Sequence, residues 1–148
     1  MDLREKTRCF IGHSECYRLS PEQVQGAIED LIKRGVTAFL CGGMGQFDWI
    51  CARQTYRQKE KYPDIRCDLV IPYLTFRIQE PKYFDSILYP EGFETYHFKS
   101  AIGARNRYLV DHSAYALCYV THSWGGAAQT FARTQRQRPT SVNLGTEA

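Results

Sequence analysis

The feature that most constrains this chain is a glycine-rich turn placed between an apolar run and a helical pattern. Residues 39–41 lead into Gly42, Gly43 and Gly45, and Asp48 follows just past the turn. Glycines at a switch from strand to helix let backbone N–H groups and a helix N-terminus approach an anion closely. The stretch predicts a site for a phosphate-bearing ligand, with Asp48 able to accept a hydrogen bond from a ribose or a base.

The order of strand and helix patterns indicates the fold class. Strand patterns cover residues 8–11, 38–41 and 66–71, and helical patterns separate them, one beginning at Ser20-Pro21 and one over about 47–62. A β-α-β-α-β order is typical of a parallel sheet with right-handed crossovers. The second half predicts, in order, a short helix over 81–88, a strand over 93–98, a helix over 101–113, a strand over 115–120, a helix over about 127–137 and a strand over 141–144.

Composition limits the classes of protein that fit. With 148 residues and 43% hydrophobic content, the chain predicts one domain, residues 1–148, with a substantial core. The net charge of +3 is small, and no basic stripe is present, so we expect nucleic acid to be an unlikely partner. No apolar run is long enough to span a membrane, and the first residues are too polar for a signal peptide. We therefore expect a cytoplasmic protein with no membrane partner.

The cysteines and histidines predict neither a metal centre nor disulfides. The six cysteines are scattered without a Cys-x-x-Cys pair, and none of the four histidines pairs with a cysteine or a carboxylate at metal-ligand spacing. Such cysteines are typical of buried free thiols in a reducing compartment. We expect no structural metal and no bound cofactor, while a homo-oligomer is compatible with the sequence.

Three loops follow predicted parallel strands and carry the candidate site. They are Gly12-His13-Ser14, the turn from Gly42 to Asp48, and the turn over 121–126, which contains Gly125 and Gly126. In open α/β sheets, ligands bind at the carboxyl ends of the strands, where the strand order reverses. We expect Gly43 and Gly126 to line one pocket. Arg105 precedes the second glycine turn and is a candidate for binding phosphate, with a solvated helix face as the alternative.

Four motifs together resemble a known family. They are Cys9 to His13, the turn from Gly42 to Asp48, Arg105-Asn106 with Asp111-His112-Ser113, and Ser123-Trp124-Gly125-Gly126. In this order they resemble the SLOG superfamily, and more specifically its short, single-domain YpsA-like branch. The resemblance implies an α/β, three-layer Rossmann-like sandwich with a mostly parallel central sheet. It also implies nucleotides or nucleotide-derived ligands, because relatives include the LOG phosphoribohydrolases and the DNA-processing protein DprA.

The resemblance to the LOG enzymes is uneven along the chain. Arg105 looks like their arginine, Gly125-Gly126 like their glycine pair and Thr130 like their threonine. Trp124 stands in place of a proline, Gln129 in place of a glycine and Ala132 in place of the glutamate. Cleavage of a glycosidic bond needs a carboxylate, which alanine does not supply. Ser14 also replaces an arginine usual in the YpsA-like branch, and Arg18 is a candidate substitute.

These observations favour a binding or sensing protein over an enzyme. The expected ligand is a nucleotide or nucleotide derivative, such as a nucleoside phosphate or an NAD- or ADP-ribose-like molecule, with no catalytic residue assigned. One alternative is a LOG-like phosphoribohydrolase that uses Asp48 or Asp111, and a further alternative is DprA-like nucleic-acid binding. The expected ligand-binding residues are Gly12, His13, Gly42, Gly43, Gly45, Asp48, Arg105, Asn106, Ser123, Trp124, Gly125, Gly126 and Thr130.

Overall fold

The computed structural model describes residues 3–16, 18–137 and 142–146. Within them the chain forms six strands and four α-helices. In chain order these are β1 (Thr7–Gly12), α1 (Pro21–Lys33), β2 (Ala38–Cys41), α2 (Gln46–Gln58), β3 (Arg66–Val70), β4 (Ser86–Leu88), α3 (Phe98–Asp111), β5 (Tyr115–Tyr119), α4 (Gly126–Gln137) and β6 (Val142–Asn143). Short 3₁₀ turns cover Leu3–Lys6, Pro81–Tyr83, Phe93–Thr95 and Leu144–Thr146.

The six strands form one parallel sheet in the order β4-β3-β2-β1-β5-β6. From β1 the chain first builds outward through β2, β3 and β4, and it then returns to add β5 and β6 on the other side. The strand order therefore reverses between β1 and β5, the arrangement of a doubly wound α/β sheet. The expected α/β, Rossmann-like sandwich with a mostly parallel sheet is confirmed.

Successive side chains of each strand point to opposite faces of the sheet, and helices cover both faces. Phe10 and Phe39 point to the face covered by α1 and α2, and their rings stack with centroids 5.5 Å apart. Cys9 and Ile11 point to the opposite face, where Leu109 of α3 and Ala128 of α4 pack. Burial on both faces explains why the strands read as continuous apolar runs rather than as alternating patterns.

Local signals at the start of α1 act as the sequence predicts. The backbone N–H of Gln23 donates to Ser20 Oγ at 3.2 Å, and the N–H of Ser20 donates to Gln23 Oε1 at 3.0 Å. Pro21 occupies the first turn. This reciprocal capping box satisfies backbone donors that the first helical turn otherwise leaves free.

The prediction of a helix over 81–88 is wrong, because that stretch forms a 3₁₀ turn followed by β4. Asp85 explains the difference, since its carboxylate accepts the N–H of Cys67 at 2.8 Å and its own N–H donates to Cys67 O at 2.8 Å. An ion pair with Lys59 also holds it. These contacts dock the segment beside β3, where residues 86–88 pair in parallel register.

The prediction of a strand over 93–98 is also wrong. Gly92 adopts a left-handed conformation with φ of 87°, and a 3₁₀ turn over Phe93–Thr95 follows it. Phe93 is buried, and Tyr96 packs against it with ring centroids 5.4 Å apart. The aromatic residues therefore anchor a loop rather than a strand, and α3 begins at Phe98, three residues before the predicted start. Of the last predicted strand, Val142 and Asn143 form β6 and Leu144 begins a 3₁₀ turn, while residue 141 lies outside the described residues.

The described part of the chain contains no helix that is both long and apolar enough to cross a membrane. All six cysteines are buried and free. Burial in the core raises the pKa of the Cys9 thiol to about 12, so this thiol is protonated at neutral pH.

Candidate functional site

A cleft opens at the carboxyl ends of β1 and β5, where the strand order reverses. Its cavity volume is about 770 Å³. This edge of a doubly wound sheet is the usual position for ligands, because the loops that leave neighbouring strands diverge there. Its walls come from the loops after β1, β2 and β5 and from one face each of α3 and α4.

Most of the residues expected at the site line this one cleft. They are Gly12, His13, Gly42, Asp48, Arg105, Asn106, Trp124, Gly125, Gly126 and Thr130. Gly43, Gly45 and Ser123 are not among the lining residues. Ser14, Met44, Thr121 and His122 of the three predicted loops and the candidate Arg18 also line the cleft. The lining residues that the sequence did not indicate are Phe10, Ile11, Glu15, Ile102, Leu109, Tyr119 and Ala127.

Gly43 and Gly45 shape the first glycine turn from within the protein. Gly43 has a φ of 65°, and a Cβ there would lie 2.6 Å from Leu69 Cδ1. Gly45 has a φ of 125°, and a Cβ there would lie 2.7 Å from Ser14 Cα. Both positions combine a left-handed backbone with close packing, which only glycine tolerates. Gly42, rather than Gly43, therefore shares the cleft with Gly126.

Arg105 occupies the floor beneath the first glycine turn. Its side chain is 2% exposed, and Nη1 donates to Gly42 O at 2.6 Å and to Val70 O at 3.3 Å. Nη2 lies 3.1 Å from the sulfur of Met44. A Cβ on Gly42 would lie 2.9 Å from the guanidinium carbon, so the glycine admits the arginine. The guanidinium thereby ties the ends of β2 and β3 together.

Arg105 also orients the neighbouring amide of Asn106. Arg105 Nε donates to Asn106 Oδ1 at 2.9 Å, which directs the Asn106 Nδ2 group away from the arginine. Nδ2 then faces the second glycine turn, lying 4.0 Å from the position that a Cβ on Gly126 would take. The amide is thus a fixed donor beside the start of α4.

Asp48 contributes a buried carboxyl group to the same wall. Its Oδ2 accepts the N–H of Met44 at 2.9 Å, closing the first glycine turn. Burial raises the pKa of Asp48 to about 6, while the Met44 hydrogen bond and the positive charge of Arg105 act in the opposite direction. This carboxyl group consequently changes its protonation state close to neutral pH.

The second glycine turn is open where the first is packed. Gly125 has a φ of 92°, and a Cβ there would meet no heavy atom within 4 Å. The N–H of Gln129 donates to Gly125 O at 3.1 Å as the first backbone bond of α4. The N–H groups of residues 126–128 therefore precede the helical ladder and lie at the positive end of the helix dipole. Gly126, Ala127 and Thr130 are the residues of α4 that line the cleft.

Three aromatic rings form a column beside this turn. The rings of His13 and His122 stack with centroids 3.6 Å apart, and those of His122 and Trp124 stack with centroids also 3.6 Å apart. Trp124 ends the column and is 69% exposed. Nδ1 of His122 is buried and has no hydrogen-bond partner among the described residues. The column thus has a buried end at His13 and an open end at Trp124.

Carboxylate candidates for catalysis do not all reach the cleft. Asp111 pairs with Arg133 at 3.1 Å and is not among the lining residues. Ala132 is exposed on α4 and does not line the cleft either, so a glutamate at that position would lie outside the cleft wall. Asp48 and Glu15 are the cleft-lining carboxylates. Among the described residues, no group of three or more His, Cys, Asp and Glu side chains could hold a metal ion.

The fold and the cleft define a doubly wound α/β domain with its candidate site at the switch point. Two solved structures share this fold. DNA processing protein A (DprA) from Streptococcus pneumoniae superposes with a TM-score of 0.69 at 14% identity, over 95% of this chain and 50% of that chain. DprA from Helicobacter pylori, described for its single-stranded DNA binding mode, superposes with a TM-score of 0.64 at 17% identity, over 93% and 64%.

These comparisons support the sequence resemblance at the level of the fold. The chain spans about half to two thirds of the length of the two DprA chains. No protein-family model matches the sequence, and no curated protein does. The expectation that nucleic acid is an unlikely partner is wrong, because a neighbour in fold binds single-stranded DNA.

Proposed function

We propose that this protein binds a nucleotide unit in the cleft, with the phosphate at the start of α4 and the base on the ring of Trp124. The observation that carries the proposal is the joint placement of an open helix N-terminus and an exposed aromatic ring at the switch point. A phosphate and a base are joined in one ligand, and the cleft offers a complementary surface to each part. The protein in this proposal binds or senses its ligand without transforming it.

The phosphate half of the proposal depends on donors that point into the cleft. The first N–H groups of α4 supply a partial positive charge, and Asn106 Nδ2 lies beside them in a fixed orientation. Arg18 lines the same cleft and is exposed, so its guanidinium is available to a phosphate. Arg105 adds a buried positive charge to the wall and fixes the Asn106 amide.

The base half of the proposal depends on the aromatic column. An indole ring stacked from below by His122 is held flat, and its outer face is free for a planar ligand. Stacking of a base on an aromatic side chain contributes about 1–3 kcal/mol by alanine substitution. Because stacking tolerates every base, we expect weak discrimination among AMP, GMP, CMP and UMP.

Tryptophan fluorescence tests the proposal directly, because the chain has two tryptophans. Trp49 is half-buried against Phe84, and a Trp49→Phe variant leaves Trp124 as the reporter. We expect nucleoside monophosphates to quench this variant, and the matching nucleosides to bind at least tenfold more weakly. Isothermal titration calorimetry on the wild-type protein is the second measurement. Equal affinity for nucleotide and nucleoside would contradict the phosphate site, and absence of binding to either would contradict the proposal.

A second candidate is that the nucleotide belongs to a single-stranded nucleic acid. The fold shared with a DprA that binds single-stranded DNA favours this ligand. Fluorescence anisotropy with labelled dT oligonucleotides of increasing length distinguishes the two candidates. Affinity that rises with length would identify a strand as the ligand, whereas affinity equal to that of the mononucleotide would identify a free nucleotide.

The LOG-like phosphoribohydrolase alternative now depends on Asp48. Its position in the cleft wall and its raised pKa favour it over Asp111 as the carboxylate of such a reaction. The assay is release of free base from the four nucleoside monophosphates by purified protein. Turnover that Asp48→Asn abolishes without loss of binding would make the protein an enzyme. Membership of the YpsA-like branch, organisation as a single domain and a cytoplasmic location stay predictions.

A further inference from the structure

His13 connects β1 to the glycine turn that begins α4. It follows the last residue of β1, and its backbone N–H donates to Tyr119 O of β5 at 3.2 Å. Its ring Nε2 accepts the backbone N–H of Thr121, the first residue of the turn, at 2.8 Å. One residue therefore holds the end of β5 through its backbone and the start of the turn through its side chain.

The side-chain bond exists in one protonation state only. A neutral imidazole carries an unprotonated nitrogen that accepts a hydrogen bond, whereas an imidazolium carries a proton on both nitrogens. Protonation of Nε2 would place two N–H groups opposite each other at 2.8 Å. The bond to Thr121 then breaks, and the turn loses the side chain that holds its first residue.

The surroundings of His13 include charged groups of both signs. His122 stacks on its ring from the turn after β5, Arg105 lines the cleft from α3, and Arg18 lines it from the loop after β1. The carboxyl groups that line the cleft are Asp48 of α2 and Glu15 of the loop. Burial, and second the neighbouring His122, lower the pKa of His13, so the ring is neutral at pH 7.

We propose that His13 is a positioning residue whose neutral ring holds Thr121, and through it the second glycine turn, in the arrangement that binds the ligand. Nucleotide binding at the cleft is then lost when His13 is protonated. The inference rests on the proposed nucleotide site. It also assigns His13 a role different from direct contact with phosphate. His122 stacks on His13, and Trp124 stacks on His122. Release of the turn therefore disturbs the Trp124 ring, on which we propose that the base stacks, together with the start of α4.

The first test needs no ligand. In a nuclear magnetic resonance titration of the wild-type protein, we expect the Thr121 amide to report the same pKa as the His13 ring. Below that pKa, the protection of this amide against hydrogen exchange, relative to its intrinsic rate at each pH, should fall. A Thr121 amide that is unchanged while His13 titrates would overturn the inference. The proposed function is tested separately, by the binding of AMP at pH 8.

The second test measures the affinity for AMP between pH 5 and pH 8. His13→Gln is the informative variant, because its Oε1 can accept the Thr121 N–H but does not titrate. We expect wild-type affinity to fall more steeply than that of His13→Gln as pH falls through the pKa of the His13 ring that the magnetic resonance titration measures. The second ionisation of the AMP phosphate affects both proteins equally, so it does not contribute to the difference between their pH profiles. Parallel pH profiles would overturn the inference.

Two control variants replace other side chains of the cleft wall and the aromatic column. His122→Phe retains an aromatic ring in the column without a proton to exchange, and Asp48→Asn removes the carboxyl titration from the wall. We expect both variants to keep the pH dependence that His13 causes. Loss of that dependence in either variant, with His13 intact, would assign it to the replaced residue and overturn the role given to His13.

Discussion

The two glycine turns look alike in sequence but differ in what fills them. The turn after β2 is occupied by the protein itself, since Arg105 lies against Gly42, Asp48 accepts a hydrogen bond inside the turn and Ser14 packs on Gly45. The turn after β5 is open at Gly125 and faces the cleft. The same strand–glycine–helix pattern therefore gives one braced wall and one ligand-accessible turn. Glycines in a turn allow another group to approach the backbone closely. The tertiary structure decides whether that space is filled by the protein's own side chains or left open to a ligand.

The largest expected effect is on the brace of the first turn. Arg105→Ala leaves the carbonyl groups of Gly42 and Val70 without their donor and Asp48 without its neighbouring positive charge. We expect the free energy of unfolding to fall by about 3–5 kcal/mol, the cost of breaking a buried charged network. Urea denaturation followed by circular dichroism measures the change.

Arg105→Lys is the matched control for that variant. It keeps the positive charge but not the fork that donates to Gly42 and Asn106 together. We expect an intermediate loss of stability and weaker binding of nucleoside monophosphate, because the Asn106 amide is no longer oriented. If Arg105→Ala lost affinity for a nucleotide while keeping wild-type stability, the arginine would be a direct phosphate ligand and not a brace.

A pair of glycine substitutions compares the two turns directly. Gly45→Ala combines a positive φ with a Cβ 2.7 Å from Ser14 Cα, so we expect a loss of about 2–4 kcal/mol. Gly125→Ala has the positive φ without the clash, and we expect about 1–2 kcal/mol. Thermal or urea unfolding of both variants provides the comparison. Equal losses would show that backbone conformation alone, and not packing, distinguishes the turns.

Trp124→Ala should act on the open turn and spare the fold. The side chain is 69% exposed, so we expect stability to change by less than about 0.5 kcal/mol. Affinity for a nucleoside monophosphate should fall by about 1–3 kcal/mol, or roughly 5- to 150-fold, through loss of stacking. Calorimetric titration and thermal unfolding of the same sample measure both effects. Unchanged affinity would contradict the proposal that the base stacks on Trp124.

The smallest expected effect is the pH dependence of the first turn. The pKa of Asp48 is raised to about 6, so its contribution to stability is complete below the unfolded value of about 3.8 and is lost as pH rises through 6. Between pH 5 and pH 8 this amounts to about 1.4 kcal/mol, the free energy that corresponds to the one pH unit between 5 and the folded pKa. For the Asp48→Asn variant, the difference between the urea midpoints at pH 5 and at pH 8 should lack this contribution. A variant with the wild-type dependence would show that Asp48 does not titrate near 6.

The sequence by itself determined the features that depend on residues close together in the chain. The capping residues of α1, the bounds of β2 and the two glycine turns follow from local backbone preferences, and the order of elements restricts the fold to a parallel α/β sheet. The tertiary structure decided the rest. β4 exists because Asp85 docks residues 86–88 on β3, which no local pattern predicts, and the aromatic residues near Phe93 anchor a loop.

The candidate site divides in the same way. Which loops meet was predictable, because parallel strands bring their carboxyl ends to one edge of the sheet. Which way each side chain points was not, since Gly43 faces Leu69, Arg105 turns to the carbonyl of Gly42 and His13 reaches Thr121 across 108 positions of sequence. Those contacts depend on the register of strands that are distant in the chain. A single sequence specifies that register only through the energy of the complete packed core.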